Sequence, residues 1–299
     1  MPVFRLAPAC KDYLWGGNKI RDKYHVVSDM DPLAEAWVFS TNENGSSVIA
    51  SGKYAGMSLR EYFRSVSNAR DKDLPVLIKF LDAKKSLSVQ VHPDDITAKL
   101  LGESSGKTEF IYILEADPGS ELIYGLEKEI TREEWERHIR EGTVMDAVHH
   151  EPVKKGDGYF VPAGVVHGYG AGILALEIQQ NSDVTYRIYD YGRLGKDGKP
   201  RKLHLKEASA AAHLGPVRDE FGFDGHLVSC PYFTTDRYTD SFEGSSDISY
   251  VSLIVTEGTF EIQNGEDVLT GNPGDSFYIP EGSGTYCVKG SGEIFKTVK

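Results

Sequence analysis

The sequence predicts a mainly β protein built from two all-β modules of one kind, with a few inserted helices. Three observations lead there: many short β-type runs bounded by turn residues, few helical signals, and one strand-and-turn pattern that occurs twice. The runs are Ala36–Phe39, Val76–Phe80, Leu87–His92, Phe110–Leu114, Glu121–Tyr124, Gly158–Val161, Ile173–Gln179 and Val184–Tyr189. Short strands spaced by turns are what an antiparallel sandwich or barrel requires.

The helical signals come in three places. Ser58–Val66 reads as a short helix; Thr131-Arg132-Glu133-Glu134 has capping-box form and leads into a polar helix to about Arg140; Lys206–His213 is alanine-rich. Between Glu177 and Arg193 lies a segment dense in polar and aromatic groups, followed by a glycine- and lysine-bearing loop over 192–203. The repeated pattern is Gly-Asp, three residues, an aliphatic residue, then Pro-x-Gly. It stands at Gly156, Asp157, Val161, Pro162 and Gly164, and again at Gly274, Asp275, Ile279, Pro280 and Gly282, with about 215–247 as the connection.

Bulk properties narrow the function. The 299 residues carry 33 basic and 45 acidic side chains, a formal charge of −12, which opposes a nucleic-acid surface or an anionic membrane surface. No apolar run is long enough to span a bilayer, and the first residues lack the basic head and apolar run of a signal peptide. Cys10, Cys230 and Cys287 are odd in number and far apart, which suits packing in a reducing, cytoplasmic setting better than a disulfide framework. Nothing in the sequence sets an oligomeric state.

Two phosphate-loop lookalikes carry nothing. Gly102–Thr108 has three residues between its glycines where GxxxxGK[ST] needs four, and Gly168–Gly172 precedes a strand rather than opening a helix. The stretch Ser86–Asp95, SLSVQVHPDD, is more informative. As a strand it directs Leu87, Val89 and Val91 to one face and Ser88, Gln90 and His92 to the other. An ordinary half-exposed strand alternates in the same way. The first copy of the repeat tips the balance, because it continues to His167 where the second has Thr285. Gly156-x5-Pro162-x-Gly164-x2-His167 is the second half of the cupin pattern, and Gln90, His92 and Glu109 offer the ligands of its first half, with an inserted segment of helical character before Glu109. Two imidazoles, a carboxylate and an amide oxygen suit one divalent ion, zinc being favoured by the nitrogen donors. Arg187 shares a strand face with Thr185 and Tyr189, where it either pairs with an acid or holds an anionic intermediate or a phosphate.

LPVLIKFLDAKKSLSVQVHPDD, GKTEFIYIL, PGSELIYG, PAGVVHGYGAGILALEIQQNSDVTYRIYDYGR and KLHLKEA, with Trp15-Gly16-Gly17 and Glu35-Ala36-Trp37, together resemble the short bacterial form of the type I mannose-6-phosphate isomerases, zinc-dependent cupin enzymes. The resemblance runs through nearly the whole chain. It implies two cupin-type β-barrel (jelly-roll) modules: a catalytic metal-binding domain over 1–240 with helical insertions, and a degenerate cupin-like domain over 241–299. It implies metal ligation by Gln90, His92, Glu109 and His167, Arg187 in the catalytic position, Lys107 close to a small phosphosugar substrate, and interconversion of mannose 6-phosphate and fructose 6-phosphate through an enediol. Departures fall at Gly168-Tyr169 and at Gly192, where the family more often has a small residue with isoleucine, and aspartate. The proton-transfer base stays open among Lys107, a metal-bound water and a carboxylate such as Asp190. A metal-dependent oxygenase and a sugar-binding cupin without activity are the other readings of the same ligand set.

Overall fold

The computed structural model describes residues 3–67, 73–195, 197–217 and 225–299. The chain is mainly β and divides into two compact units, one of Met1–Lys11, Asn18–Phe80 and Phe221–Lys299, the other of Asp12–Gly17 and Leu81–Glu220. This division follows strand pairing rather than the boundary expected at 240/241. Phe4–Ala7 pairs with Ser276–Ile279, so the start of the chain belongs with its end.

In the first unit the main sheet runs His226–Ser229, Thr234–Ser245, Thr285–Val298, Val251–Asn264, Ser276–Ile279, Phe4–Ala7, Val48–Ile49, and Asp267–Gly271 folds back on Val251–Asn264 as a hairpin. The stretch expected to be connection therefore supplies two strands; its residues 218–224 lie outside the described set. The core reads off one long strand. Val251, Leu253 and Val255 alternate into one apolar cluster, and after a register shift beside Glu257 the phase changes to Phe260 and Ile262. The extra residue turns the inward face from odd to even positions.

The second unit holds two sets of strands. Gly158–Val161, Glu109–Ala116 and Ile173–Gln180 lie side by side, as do Val148–Pro152, Glu121–Leu126, His167–Tyr169, Val89–Val91 and Tyr186–Tyr189. Two helices pack on the apolar cluster of the second set. Arg132–Glu141 begins with the capping box at Thr131 and Glu134 and buries Trp135; Leu205–Ala211 buries Ala208. The helix expected near Ser58 runs over Leu59–Ser65, with the Ser58 hydroxyl accepting from the Glu61 amide. Two short helices complete the set, Lys19–Tyr24 and the insertion Asp95–Leu100.

The repeated motif is the same turn in both units. Asp157 accepts through its carboxylate from the Lys154 amide at 2.8 Å, and Asp275 from the Asn272 amide at 2.8 Å. The Gly156 amide donates to Ile113 and the Gly274 amide to Val255, each at 2.8 Å. Gly164 donates to the carbonyl of His92 at 2.8 Å, and Gly282 to that of Ser246 at 2.7 Å. These bonds match the two units position by position. Ser246 corresponds to His92 and Thr285 to His167, and since Val161 pairs with Glu109 as Ile279 does with Val251, Val251 corresponds to Glu109.

The motif glycines make a testable contrast. Gly156 and Gly274 have φ of 92° and 94°, but an added Cβ meets nothing within 4 Å at Gly156 and lies 2.4 Å from the Tyr24 carbonyl at Gly274. Gly156→Ala should cost about 1–2 kcal/mol, the left-handed penalty alone, and Gly274→Ala distinctly more. Thermal unfolding of the two variants checks this; equal losses would mean that backbone conformation alone decides.

Candidate metal and active site

Cross-strand register assembles the site. On three adjacent strands His167 stands opposite Gln90, and Gln90 opposite Arg187, with Tyr124 opposite His167 on the far side. Directly opposed residues share a face, so the four side chains form one row. A bulge between Arg187 and Tyr189 breaks the alternation, and Thr185 lies outside the strand, so the expected face of Thr185, Arg187 and Tyr189 is not a continuous one. The acids come from the other set of strands. Glu109 pairs with Gln179, and Glu177, opposite Ile111, is its diagonal neighbour.

The ends of these side chains converge in a buried cluster. His167 Nε2 is 3.0 Å from Glu109 Oε1, His92 Nε2 is 3.6 Å from Glu109 Oε2, and Gln90 Nε2 is 3.3 Å from His167 Nε2. Lys107 Nζ pairs with Glu109 Oε2 and stands 3.1 Å from His92 Nε2 and 3.4 Å from Glu177 Oε1. Glu109 is fully buried and His92, Lys107, His167 and Glu177 are nearly so, while Gln90 is half-buried. Among the described residues, His92, Glu109 and His167 form a group whose ligand atoms all lie within 4.8 Å of one another.

Backbone carbonyls set the imidazoles. His92 Nδ1 donates to Val184 at 2.7 Å and His167 Nδ1 to Val165 at 2.9 Å. With hydrogen on Nδ1, a neutral ring turns a bare Nε2 lone pair inward, the arrangement a metal ligand needs. Burial, reinforced by Lys107, holds His92 well below its ordinary pKa of 6.5, so the ring is neutral. Burial pushes Glu109 upward and Glu177 adds to that, but Lys107, His167 and His92 outweigh both and bring the carboxyl down to about 2. Glu109 Oε1 has no hydrogen-bond partner, and His167 Nε2 lies 3.0 Å from it. A divalent cation fits this donor set, and turning the Gln90 amide over would present its oxygen as a further ligand.

Two members escaped the sequence reading. Glu177 contacts Lys107, and its other oxygen accepts from the Tyr169 hydroxyl at 2.6 Å. The available signal was an acid set in the apolar run ILALEI, which only a partnered charge tolerates. Tyr169, one of the departures from the family pattern, thus has a polar task. At the position before it, a Cβ on Gly168 would sit 3.0 Å from the Ser88 carbonyl. The loop Gly102–Thr108 folds back so that the Gly106 amide bonds to the Asp95 carboxylate at 2.8 Å.

Arg187 projects beside this cluster, half-buried. Its Nη1 donates to the Lys202 carbonyl at 3.0 Å, and burial followed by the nearby Arg201 lowers its pKa from 12.5. Asp190 is engaged in a different way. Its carboxylate accepts from Arg201 Nε at 2.7 Å and from the Nη2 atoms of Arg201 and Arg193, which makes it an ion-pair partner rather than a free base.

Facing strands that bury two imidazoles, a carboxylate and an ammonium beside a guanidinium define a cupin-type fold with a candidate metal site. Residues 3–113 match the phosphomannose isomerase type I catalytic domain, and residues 224–298 the mannose-6-phosphate isomerase cupin domain. The chain belongs to the type I phosphomannose isomerase family. It is 34% identical to the mannose-6-phosphate isomerase ManA of Bacillus subtilis, covering 98% of this chain and 97% of that one, and 34% identical to the mannose-6-phosphate isomerase of Streptococcus mutans, covering 89% of each. A crystal structure of the mannose 6-phosphate isomerase from Bacillus subtilis superposes with a TM-score of 0.91 at 31% identity over 99% of both chains. No helix among the described residues is long and apolar enough to cross a membrane.

The Asp190 ion pairs predict a pH effect. Burial raises this carboxyl, but the bonds from Arg201 and Arg193 bring it below its ordinary 3.8. A depressed folded pKa stabilises above the unfolded value and is lost as pH falls through the folded one. Asp190→Asn should therefore flatten the loss of stability below about pH 4, measured by thermal unfolding from pH 6 to pH 3; an unchanged acid limb would contradict this.

Proposed function

We propose that the protein interconverts mannose 6-phosphate and fructose 6-phosphate by metal-dependent aldose–ketose isomerisation in the cytoplasm. In this reading one zinc ion per chain is held by Gln90, His92, Glu109 and His167, and Arg187 and Lys107 act on the sugar. The observation that carries it is the pair of imidazole rings, each held at Nδ1 by a backbone carbonyl, whose Nε2 atoms turn onto one buried carboxylate. Nitrogen donors favour zinc, the names of the relatives supply the substrate, and the free thiols of Cys10, Cys230 and Cys287 suit a reducing compartment.

When bound, a divalent ion there would act as a Lewis acid on a substrate oxygen. Moving a proton between C1 and C2 puts negative charge on the sugar oxygens, and the protein's own cations answer it. Arg187 is suited to a fixed donor, because its strand pairs with Val89–Val91 and its Nη1 is tethered to Lys202. Lys107, held between Glu109 and Glu177 against His92, is the ammonium nearest the ligand atoms. Asp190 has its carboxylate engaged by two guanidiniums, which argues against it as the base.

Removing the metal with a chelator should abolish isomerase turnover and leave the circular dichroism spectrum largely unchanged, because each unit has an apolar core of its own. Readdition of zinc restores turnover, His92→Ala and His167→Ala behave like the chelated protein, and elemental analysis gives one ion per chain, since the second module has Ser246, Val251 and Thr285 where the first has His92, Glu109 and His167. Full activity in demonstrably metal-free protein would end the reading.

Arg187→Ala should lower kcat by about 10²-fold or more with a smaller change in KM, as loss of a transition-state donor does. A higher KM at unchanged kcat would make Arg187 a ground-state phosphate contact. Steady-state kinetics on folded, metal-loaded protein decides between them.

A further inference from the structure

We propose that Asp190 is a positioning residue for Arg187, closing the excursion of residues 191–200 so that the Lys202 carbonyl returns beneath the Arg187 guanidinium. The inference rests on the reading of Arg187 given above and deepens it. Two short segments run side by side here. The His204 amide donates to the Arg187 carbonyl at 2.8 Å, the Arg187 amide donates to His204 Nδ1 at 3.2 Å, and Arg187 Nη1 reaches Lys202 at 3.0 Å. Between them the chain turns sharply: Tyr191 and Gly192 have φ of 55° and 66°, and the Arg193 amide returns to the Asp190 carbonyl at 3.0 Å. Leu194 then bridges to Pro200, and Arg201 comes back to Asp190 through a two-pronged contact, Nε to Oδ2 at 2.7 Å and Nη2 to Oδ1.

Asp190 thus fastens both ends of the excursion, Arg193 on the outgoing side and Arg201 on the returning side, from a position only 5% exposed. A two-pronged guanidinium–carboxylate contact fixes orientation as well as distance. The geometry has an electrostatic side. Arg201 and Arg193 act on Arg187 as like charges, and Asp190 is the acid that offsets them there. Without its charge, repulsion moves Arg201 and the adjoining Lys202 carbonyl away, and Arg187 loses the acceptor that aims it. Arg193 is secured independently by the Ser86 carbonyl, so the returning side is the one that Asp190 controls.

The test is a double-mutant cycle in the isomerase assay, with metal content and circular dichroism confirmed for each protein. Asp190→Asn should lower kcat by about tenfold, the scale of one lost charge-assisted contact, with KM changed less than twofold. In an Arg187→Ala background the same substitution should change kcat by less than about twofold, because a residue that acts through another has no effect once the other is gone. Equal factors in both backgrounds would overturn the inference and leave Asp190 a structural ion pair. Should Asp190→Asn not fold, Arg201→Gln removes the same contact from the other side and runs through the same cycle. An Arg187→Ala protein with wild-type kcat and KM would instead remove the reading on which the inference rests.

Discussion

The carboxylate of Glu109 has no contact with water, and that fact organises the second unit. A buried ion loses several kcal/mol of hydration unless its surroundings answer its charge. Lys107 answers it from two residues away in the chain, but Lys107 is itself buried and needs more than one acid, which Glu177 supplies from the neighbouring strand. Glu177 in turn takes the Tyr169 hydroxyl on its other oxygen. Each buried charge requires the next. The sequence ends at a side chain that is neutral and can be buried at little cost, and the strand register has to bring all four together for any of them to be stable where they are.

The first unit contains the natural control for this constraint. Its copy of the turn keeps three bonds of the original: the carboxylate on the amide three residues earlier, the glycine amide on the facing strand, and the second glycine on the carbonyl of the matching position. At the positions that match the ligands its side chains carry no charge. Val251 stands where Glu109 does and joins Leu253, Val255, Phe260 and Ile262 in an apolar core. The turn is kept because it is a requirement of the backbone, set by two left-handed glycines and one short acid. The ligand set depends on side chains alone, and Ser246, Val251 and Thr285 stand in place of three of its members without disturbing the turn.

This separation explains what could be read from the sequence. Motifs local in the chain were legible: the repeated turns, the Thr131 capping box, the alternation through Gln90 and His92, and His167 at a fixed distance from Pro162. Elements without local contrast were not. Lys19–Tyr24 is a six-residue polar helix without a side-chain cap, and Thr234–Ser245 is a strand with a single buried residue whose apolar signal reduces to the stacked Tyr238 and Phe242. The 240/241 division failed to coincide with the compact units because Phe4–Ala7 completes a sheet more than 270 residues later, a pairing no window of sequence contains. The row of His167, Gln90 and Arg187 is of the same kind. Each residue could be suspected singly, but only the register across three strands distant in sequence makes them neighbours.

The same distinction between local and global applies to charge. With a formal charge of −12 the protein repels an anionic substrate at long range, yet at physiological ionic strength that repulsion is screened over roughly 8 Å. What an approaching anion meets at the site is set by the nearest side chains, and here Arg187, Arg193 and Arg201 share the single carboxylate of Asp190. On one side of Gln90 the cross-strand row leads to His167 and the buried carboxylate of Glu109; on the other it leads to Arg187 and an excess of guanidinium. Candidate metal ligands and guanidinium charge therefore stand on either side of one strand three residues long. Attraction of an anion there needs no favourable net charge, only that Arg187 be kept apart from the buried carboxylates by the strand between them.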